Sequence, residues 1–231
     1  MDIPFVSRAQ MAKLDELMIE HFGIQVMQMM EHAGRNTAQY AREILGKGKV
    51  AVLVGKGNNG GDAAVAARFL HAWGIKIQVI VADEKVKDST RKHLGTLEKM
   101  GVAILYPENA EVGEVFKKAD LIIDGLLGYN INRNPEGALA DLITKTNNSG
   151  KKILAIDIPS GLDTDKGAVY SPCIKATHTL TLSLPKKGFL QAREHVGKLV
   201  IADIGVPPEL YKFMGLTVGN LFKERDSIKV W

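Results

Sequence analysis

The chain has 231 residues, 45% of them hydrophobic and 24% charged, enough apolar material for one large core and too much for a disordered chain. Cys173 is the sole cysteine, which excludes an internal disulfide and fits a reducing compartment, the cytoplasm by default; the N-terminus lacks a signal-peptide pattern, and no uncharged apolar run is long enough to span a membrane. The formal charge of +4 is spread along the chain rather than gathered, which argues against a nucleic-acid surface.

Ser7 with Gln10 three residues on makes a capping box, and Met11, Leu14, Leu17 and Met18 follow at helical spacing until Gly23. A second helix is predicted over 26–45, where Met27, Met30, Ala33, Ala38, Ala41 and Ile44 form an apolar stripe. The methionines read as core or subunit-contact packing, and pairing of these helices between copies would give a homodimer. From Val50 the pattern changes to short apolar runs, at 50–54, 75–81, 102–105, 121–123 and 153–156, which read as strands buried on both faces. Helices are predicted between them at 62–73, 88–100, 112–117 and 136–146. Strand and helix alternate, so the fold class is α/β, a three-layer αβα arrangement on a mainly parallel sheet, preceded by two helices. Two further strands, 177–184 and 198–204, read as lying nearer a sheet edge, and 217–231 is a tail without a clear period. No repeat or linker divides the chain, so residues 1–231 are expected to form one domain.

Three polar loops follow strands on one edge of this sheet: Gly55-Lys56-Gly57-Asn58-Asn59-Gly60-Gly61-Asp62, Asp124-Gly125-Leu126-Leu127-Gly128-Tyr129-Asn130, and Asp157-Ile158-Pro159-Ser160-Gly161-Leu162-Asp163. Taken singly, each glycine serves a tight turn and each aspartate caps a helix. Together they point to a site, because Asp124 and Asp157 sit at strand ends, where a carboxylate is partly desolvated unless it has a ligand or partner.

Gly55, Gly57 and Gly60 also fit a dinucleotide-binding Gly-x-Gly-x-x-Gly, with Asp83 placed as a ribose-binding acid, so an NAD-dependent oxidoreductase is one reading. Two features oppose it. About fifty residues of helix precede the motif, and Asp62 is predicted to put negative charge in the first helical turn, where a pyrophosphate would be drawn.

The stretches Met29-Met30-Glu31-His32-Ala33-Gly34, Gly57 to Asp62, Asp124 to Gly128, Asp157 to Asp163, Pro185-Lys186-Lys187-Gly188 and Ala202-Asp203-Ile204-Gly205-Val206-Pro207-Pro208 resemble, in order, those of the NAD(P)H-hydrate epimerase family. The resemblance covers about residues 7–208. It implies a Rossmann-like fold and an isomerase that interconverts the R and S epimers of NADH or NADPH hydrated at nicotinamide C6, a repair of damaged cofactor. It also implies that Asn58, Asn59, Gly60, Gly61, Asp62, Gly128, Tyr129, Asn130, Ile131, Asn132, Arg133, Asn134 and Asp157 hold the substrate, and that Asn59, Asp124 and Ser160 hold a potassium ion. Only oxygen donors occur in that trio, as hard cations prefer.

The substrate itself demands an acid that becomes a base, since the C6 hydroxyl must be protonated to leave and the resulting iminium must take up water. Asp157 is the candidate, as a strand-end carboxylate facing an apolar ring with a raised pKa; the alternative is that it only orients substrate. The chain departs from the family at Ala63, usually Gly, at Tyr129-Asn130, usually Thr-Gly, and at His32, usually Asn; Tyr129 is read as stacking on a ring and His32 as a helix-face hydrogen bonder. Lys186 and Lys187 are read as phosphate-binding charges or an exposed basic turn. Some relatives carry a second, dehydratase domain consuming the S epimer; here a separate dehydratase is expected. A non-enzymatic binding module on the same fold is the remaining alternative, and retention of Asn59, Asp124, Asp157 and Ser160 speaks against it.

Overall fold

Capping fixes where the chain first turns helical. In the computed structural model, which describes residues 3–231, Ser7 Oγ accepts from the Gln10 N–H at 3.2 Å and Gln10 Oε1 accepts from the Ser7 N–H at 2.9 Å, opening α1 (Arg8–Glu20). A second helix, α2 (Val26–Leu45), ends at Gly46, whose positive φ of 67° breaks the spiral.

Alternation then begins with β1 (Lys49–Val54), α3 (Asn58–Ala72), β2 (Lys76–Val81), α4 (Asp88–Lys99) and β3 (Ile104–Leu105). It continues through α5 (Val112–Lys118), β4 (Leu121–Gly125), α6 (Gly137–Asn148), β5 (Lys152–Ile156) and β6 (His178–Leu182). The chain closes with α7 (Arg193–Val196), β7 (Lys198–Ala202), α8 (Pro208–Phe213) and β8 (Ser227–Lys229). The eight strands form one sheet in the order β3-β2-β1-β4-β5-β6-β7-β8. All pairings are parallel except β7 with β8. The order reverses between β1 and β4, and that switch point leaves a crevice outside the carboxyl ends of the strands.

Alternate β1 side chains divide the core. Val50, Val52 and Val54 pack with Ala63, Ala66, Ala67 and Leu70 of α3. Ala51 and Leu53 pack on the opposite face with Val115, Phe116, Leu142 and Ile143 of α5 and α6. Both strand faces are buried, so the strand has no polar alternation to show in sequence. Met11, Leu14 and Met18 of α1 join Leu210, Tyr211 and Leu221 in a separate cluster beyond the sheet edge. No helix among the described residues is long and apolar enough to cross a membrane.

Four features differ most from expectation. α3 starts at Asn58, so the segment Asn58 to Asp62 is helix rather than loop. Glycine and asparagine are poor helix formers; here close packing selects them, because a Cβ on Gly60 would lie 1.9 Å from the Gly55 carbonyl oxygen. β3 keeps only Ile104–Leu105, and β4 extends to Gly125 and so contains Asp124. β6 lies inside the sheet rather than near its edge, because the tail supplies β8, whose Ile228 pairs with Ile201. Trp231 adds a hydrogen bond from its indole N–H to the Gly197 carbonyl at 2.9 Å.

Candidate active site

A cavity of about 430 Å³ occupies the switch-point crevice. Its floor comes from the turns after β1, β4 and β5, with Gly57, Asn58, Asn59, Asp62, Gly128 and Asp157 among the lining residues. Helices α1 and α2 roof it with Met11, Asp15, Ile19, Met29, Met30 and Ala33. The methionines expected to serve only core or subunit packing therefore wall the cavity, and their flexible thioethers suit a flat apolar ring.

Of the residues expected to hold substrate, Asn58, Asn59, Asp62, Gly128, Tyr129, Asn130, Ile131, Asn132, Arg133 and Asp157 line this cavity. Gly60, Gly61 and Asn134 do not. Gly60 seats α3 on β1, a Cβ on Gly61 would meet Met30 at 2.7–2.8 Å, and Asn134 accepts a hydrogen bond from the Ser171 N–H at 3.0 Å. Nor does Asp62 occupy the first helical turn, which contains no acidic residue. The electrostatic objection to an anion at this helix N-terminus thus falls away.

Asp157 directly follows β5 with a left-handed φ of 64°, unusual for a residue with a side chain. Its Oδ1 receives the ammonium of Lys186, a wholly buried lysine that also donates to Thr181 Oγ1 at 2.8 Å and to the Leu182 carbonyl at 3.0 Å. Lys186 is therefore neither an exposed turn residue nor a phosphate-binding charge, whereas Lys187 is exposed. The carboxylate at this strand end therefore has a buried charged partner, which lies 29 residues away in sequence.

Two further carboxyls share the cavity. Burial, reinforced by the charges of Asp157 and Asp15, pushes Asp62 well above the usual carboxylate range. Asp15 on α1 is raised as well, again chiefly by burial, against the lowering effect of the Tyr129 hydroxyl, which donates to its Oδ2 at 2.6 Å. Tyr129 is thus anchored through its hydroxyl to α1, and nothing in sequence order linked it with Asp15. His32 is exposed and lies off the cavity.

Beneath the cavity floor, Ser160 Oγ donates to Asp124 Oδ1 at 2.6 Å and accepts from the Leu127 N–H at 2.8 Å. The Asn59 amide donates to the carbonyls of Leu127 at 2.8 Å and Ile156 at 3.2 Å, while its Oδ1 is buried with no hydrogen-bond partner. Asp124 is fully buried without a basic partner among the described residues, and burial raises its pKa to about 6 against the hydrogen bonds from Ser160 and Leu126. An orphaned amide oxygen and an uncompensated carboxylate, both tied through hydrogen bonds to the Leu127 turn, are donors that fit a hard cation. No cluster of three or more His, Cys, Asp or Glu suited to a metal occurs among the described residues.

The loop over the cavity mouth is braced from two sides. Arg8 donates to the Ile131 carbonyl at 2.6 Å and to Asp163 Oδ2 at 2.8 Å, and Thr164 donates to the Tyr129 carbonyl at 2.5 Å.

Fold and site together define a doubly wound α/β enzyme domain with a roofed ligand crevice at its switch point. Residues 26–188 match the family model described as YjeF-related protein N-terminus. An NAD(P)H-hydrate epimerase of Dehalogenimonas lykanthroporepellens is 35% identical, with 89% of this chain and 84% of that protein covered. One from Rhodopirellula baltica is 32% identical, covering 92% and 88%. The chain belongs to the NAD(P)H-hydrate epimerase family. A bifunctional NAD(P)H-hydrate repair enzyme of Hyperthermus butylicus is 36% identical over 85% of the chain, which spans 37% of that longer protein. The crystal structure of the yeast protein ynu0 shares the fold, with a TM-score of 0.87 at 23% identity over 99% of this chain and all of that one.

Proposed function

We infer that the protein epimerises the R and S forms of hydrated NADH and NADPH at nicotinamide C6. Family membership supports the activity, and one observation supports its placement: an ion-paired Asp157 and an unpaired Asp62 face the same methionine-walled cavity. The nicotinamide half of the substrate would lie under Met29 and Met30. Its phosphates would lie toward the N-terminus of α3, where free backbone N–H groups and the rim cations Lys56, Lys87 and Arg133 favour negative charge.

Epimerisation at C6 requires the C–O bond to break and re-form on the other ring face. N1 donates its electron pair as the protonated hydroxyl leaves as water, and the iminium then adds water. In this reading Asp157, which lines the cavity beside its partner Lys186, would exchange a proton with oxygen at C6.

Asn59, Asp124 and Ser160 would hold potassium, whose charge neutralises Asp124 and ties the turns after β1, β4 and β5 together. The S epimer is then available to a dehydratase. The test is conversion of purified R epimer followed by chromatography: the approach to an epimer mixture must accelerate in proportion to enzyme. Ratios that track the enzyme-free control at high protein concentration refute the assignment. Turnover of intact NADH with an aldehyde would favour the oxidoreductase alternative instead.

A further inference from the structure

Inversion at one carbon poses a problem that a single carboxylate does not solve. The departing hydroxyl needs a proton donor on one face of the ring, and the incoming water needs a proton acceptor on the other. Asp157, in contact with the Lys186 ammonium, suits the acceptor.

We propose that Asp62 is the second catalytic carboxyl, giving its proton to the departing C6 hydroxyl while Asp157 takes the proton of the incoming water. This rests on the epimerase reading. The Asp62 side chain lines the same cavity from α3, is 7% exposed, and has no hydrogen-bond or ion-pair partner among the described residues. An unpartnered buried carboxyl persists most cheaply as the neutral acid. Its surroundings agree: Asp157 after β5 and Asp15 on α1 face it with negative charge, Tyr129 after β4 is engaged by Asp15, and the ammonium of Lys186 is committed to Asp157. The cations Lys56 and Lys87 stand at the exposed rim of the cavity.

The protons and bonds balance. Asp62 protonates the hydroxyl, the C6–O bond breaks with the N1 lone pair forming C6=N1, and water departs. A second water attacks C6 from the opposite face, the π pair returns to N1, and Asp157 accepts the surplus proton. The enzyme is left with Asp62 ionised and Asp157 protonated, the state from which the reverse epimerisation starts, and proton exchange through cavity water resets it. Two carboxyls in opposite protonation states thus serve both directions of one isomerisation.

Asp62→Asn, which keeps the side-chain shape, is predicted to lower kcat about 100-fold or more while KM stays within about threefold, since general acid catalysis acts in the transition state. The wild-type kcat should fall on the alkaline side as Asp62 loses its proton; that limb should vanish in Asp62→Asn, and Asp62→Glu should recover part of the rate with the limb intact. A KM rise with kcat preserved would assign Asp62 to binding and overturn the proposal, as would Asp62→Asn activity within about threefold of wild type. If Asp62→Asn does not fold, the wild-type profile and Asp62→Glu decide: no alkaline limb in either overturns the proposal. Wild-type protein that fails to accelerate epimerisation would instead refute the epimerase reading itself.

Discussion

Lys186 and Asp157, 29 residues apart in sequence, form an ion pair in which the lysine is wholly closed to solvent. A buried charge left without its partner is costly, so Lys186→Met is expected to destabilise the protein by about 3–5 kcal/mol. Asp157→Asn in the Lys186→Met background should return part of that loss. Urea unfolding of both single variants and the double variant measures the coupling, and additive effects would show that the pair contributes no mutual stabilisation.

Asp157→Asn alone should lower the epimerisation rate by about 100-fold or more, because asparagine neither gives nor takes a proton. Initial rates from the R epimer, corrected for the spontaneous reaction, provide the measurement. Circular dichroism distinguishes lost chemistry from lost fold.

Potassium should stabilise the fold through the oxygens of Asn59, Asp124 and Ser160. If 100 mM salt is about 100 times the dissociation constant, the gain is about 2.7 kcal/mol. Thermal melts in potassium chloride against choline chloride read this directly. Ser160→Ala should shrink the potassium-specific rise, and equal melting in the two salts would argue against a cation site.

His93 is 5% exposed and its Nε2 has no hydrogen-bond partner. Burial lowers its pKa below the usual histidine value, against the opposing charge of Glu31. The folded protein therefore keeps the ring neutral while the unfolded chain takes up a proton below about pH 6.5, so stability falls as pH drops through that range. His93→Gln should flatten the fall of the urea midpoint as pH drops below about 6.5.

Sequence pattern reveals strands where both faces are buried, as in β1, β4 and β5, because a continuous apolar run needs no partner to be recognised. It also found the convergence of Asn59, Asp124 and Asp157, since each lies at the end of such a run. The start of α3 stayed hidden because Asn-Asn-Gly-Gly has loop chemistry, and only the close approach to Gly55 explains why a helix uses it. Asp15 and Lys186 were invisible for a different reason. Tyr129, the partner of Asp15, lies 114 residues away, and a Lys-Lys pair looks solvated until the fold encloses its first member. The tail strand β8 pairs through backbone groups, which leave no periodic signature.

The left-handed backbone at position 157 narrows what mutation can sample there. Asparagine and glycine adopt such a conformation readily; alanine meets a steric penalty of about 1–2 kcal/mol in addition to losing the carboxylate. An alanine scan through this turn would therefore conflate geometry with chemistry. Natural drift away from activity should pass first through asparagine or glycine at this position, which makes those two residues the mark by which an inactive descendant of the fold can be recognised.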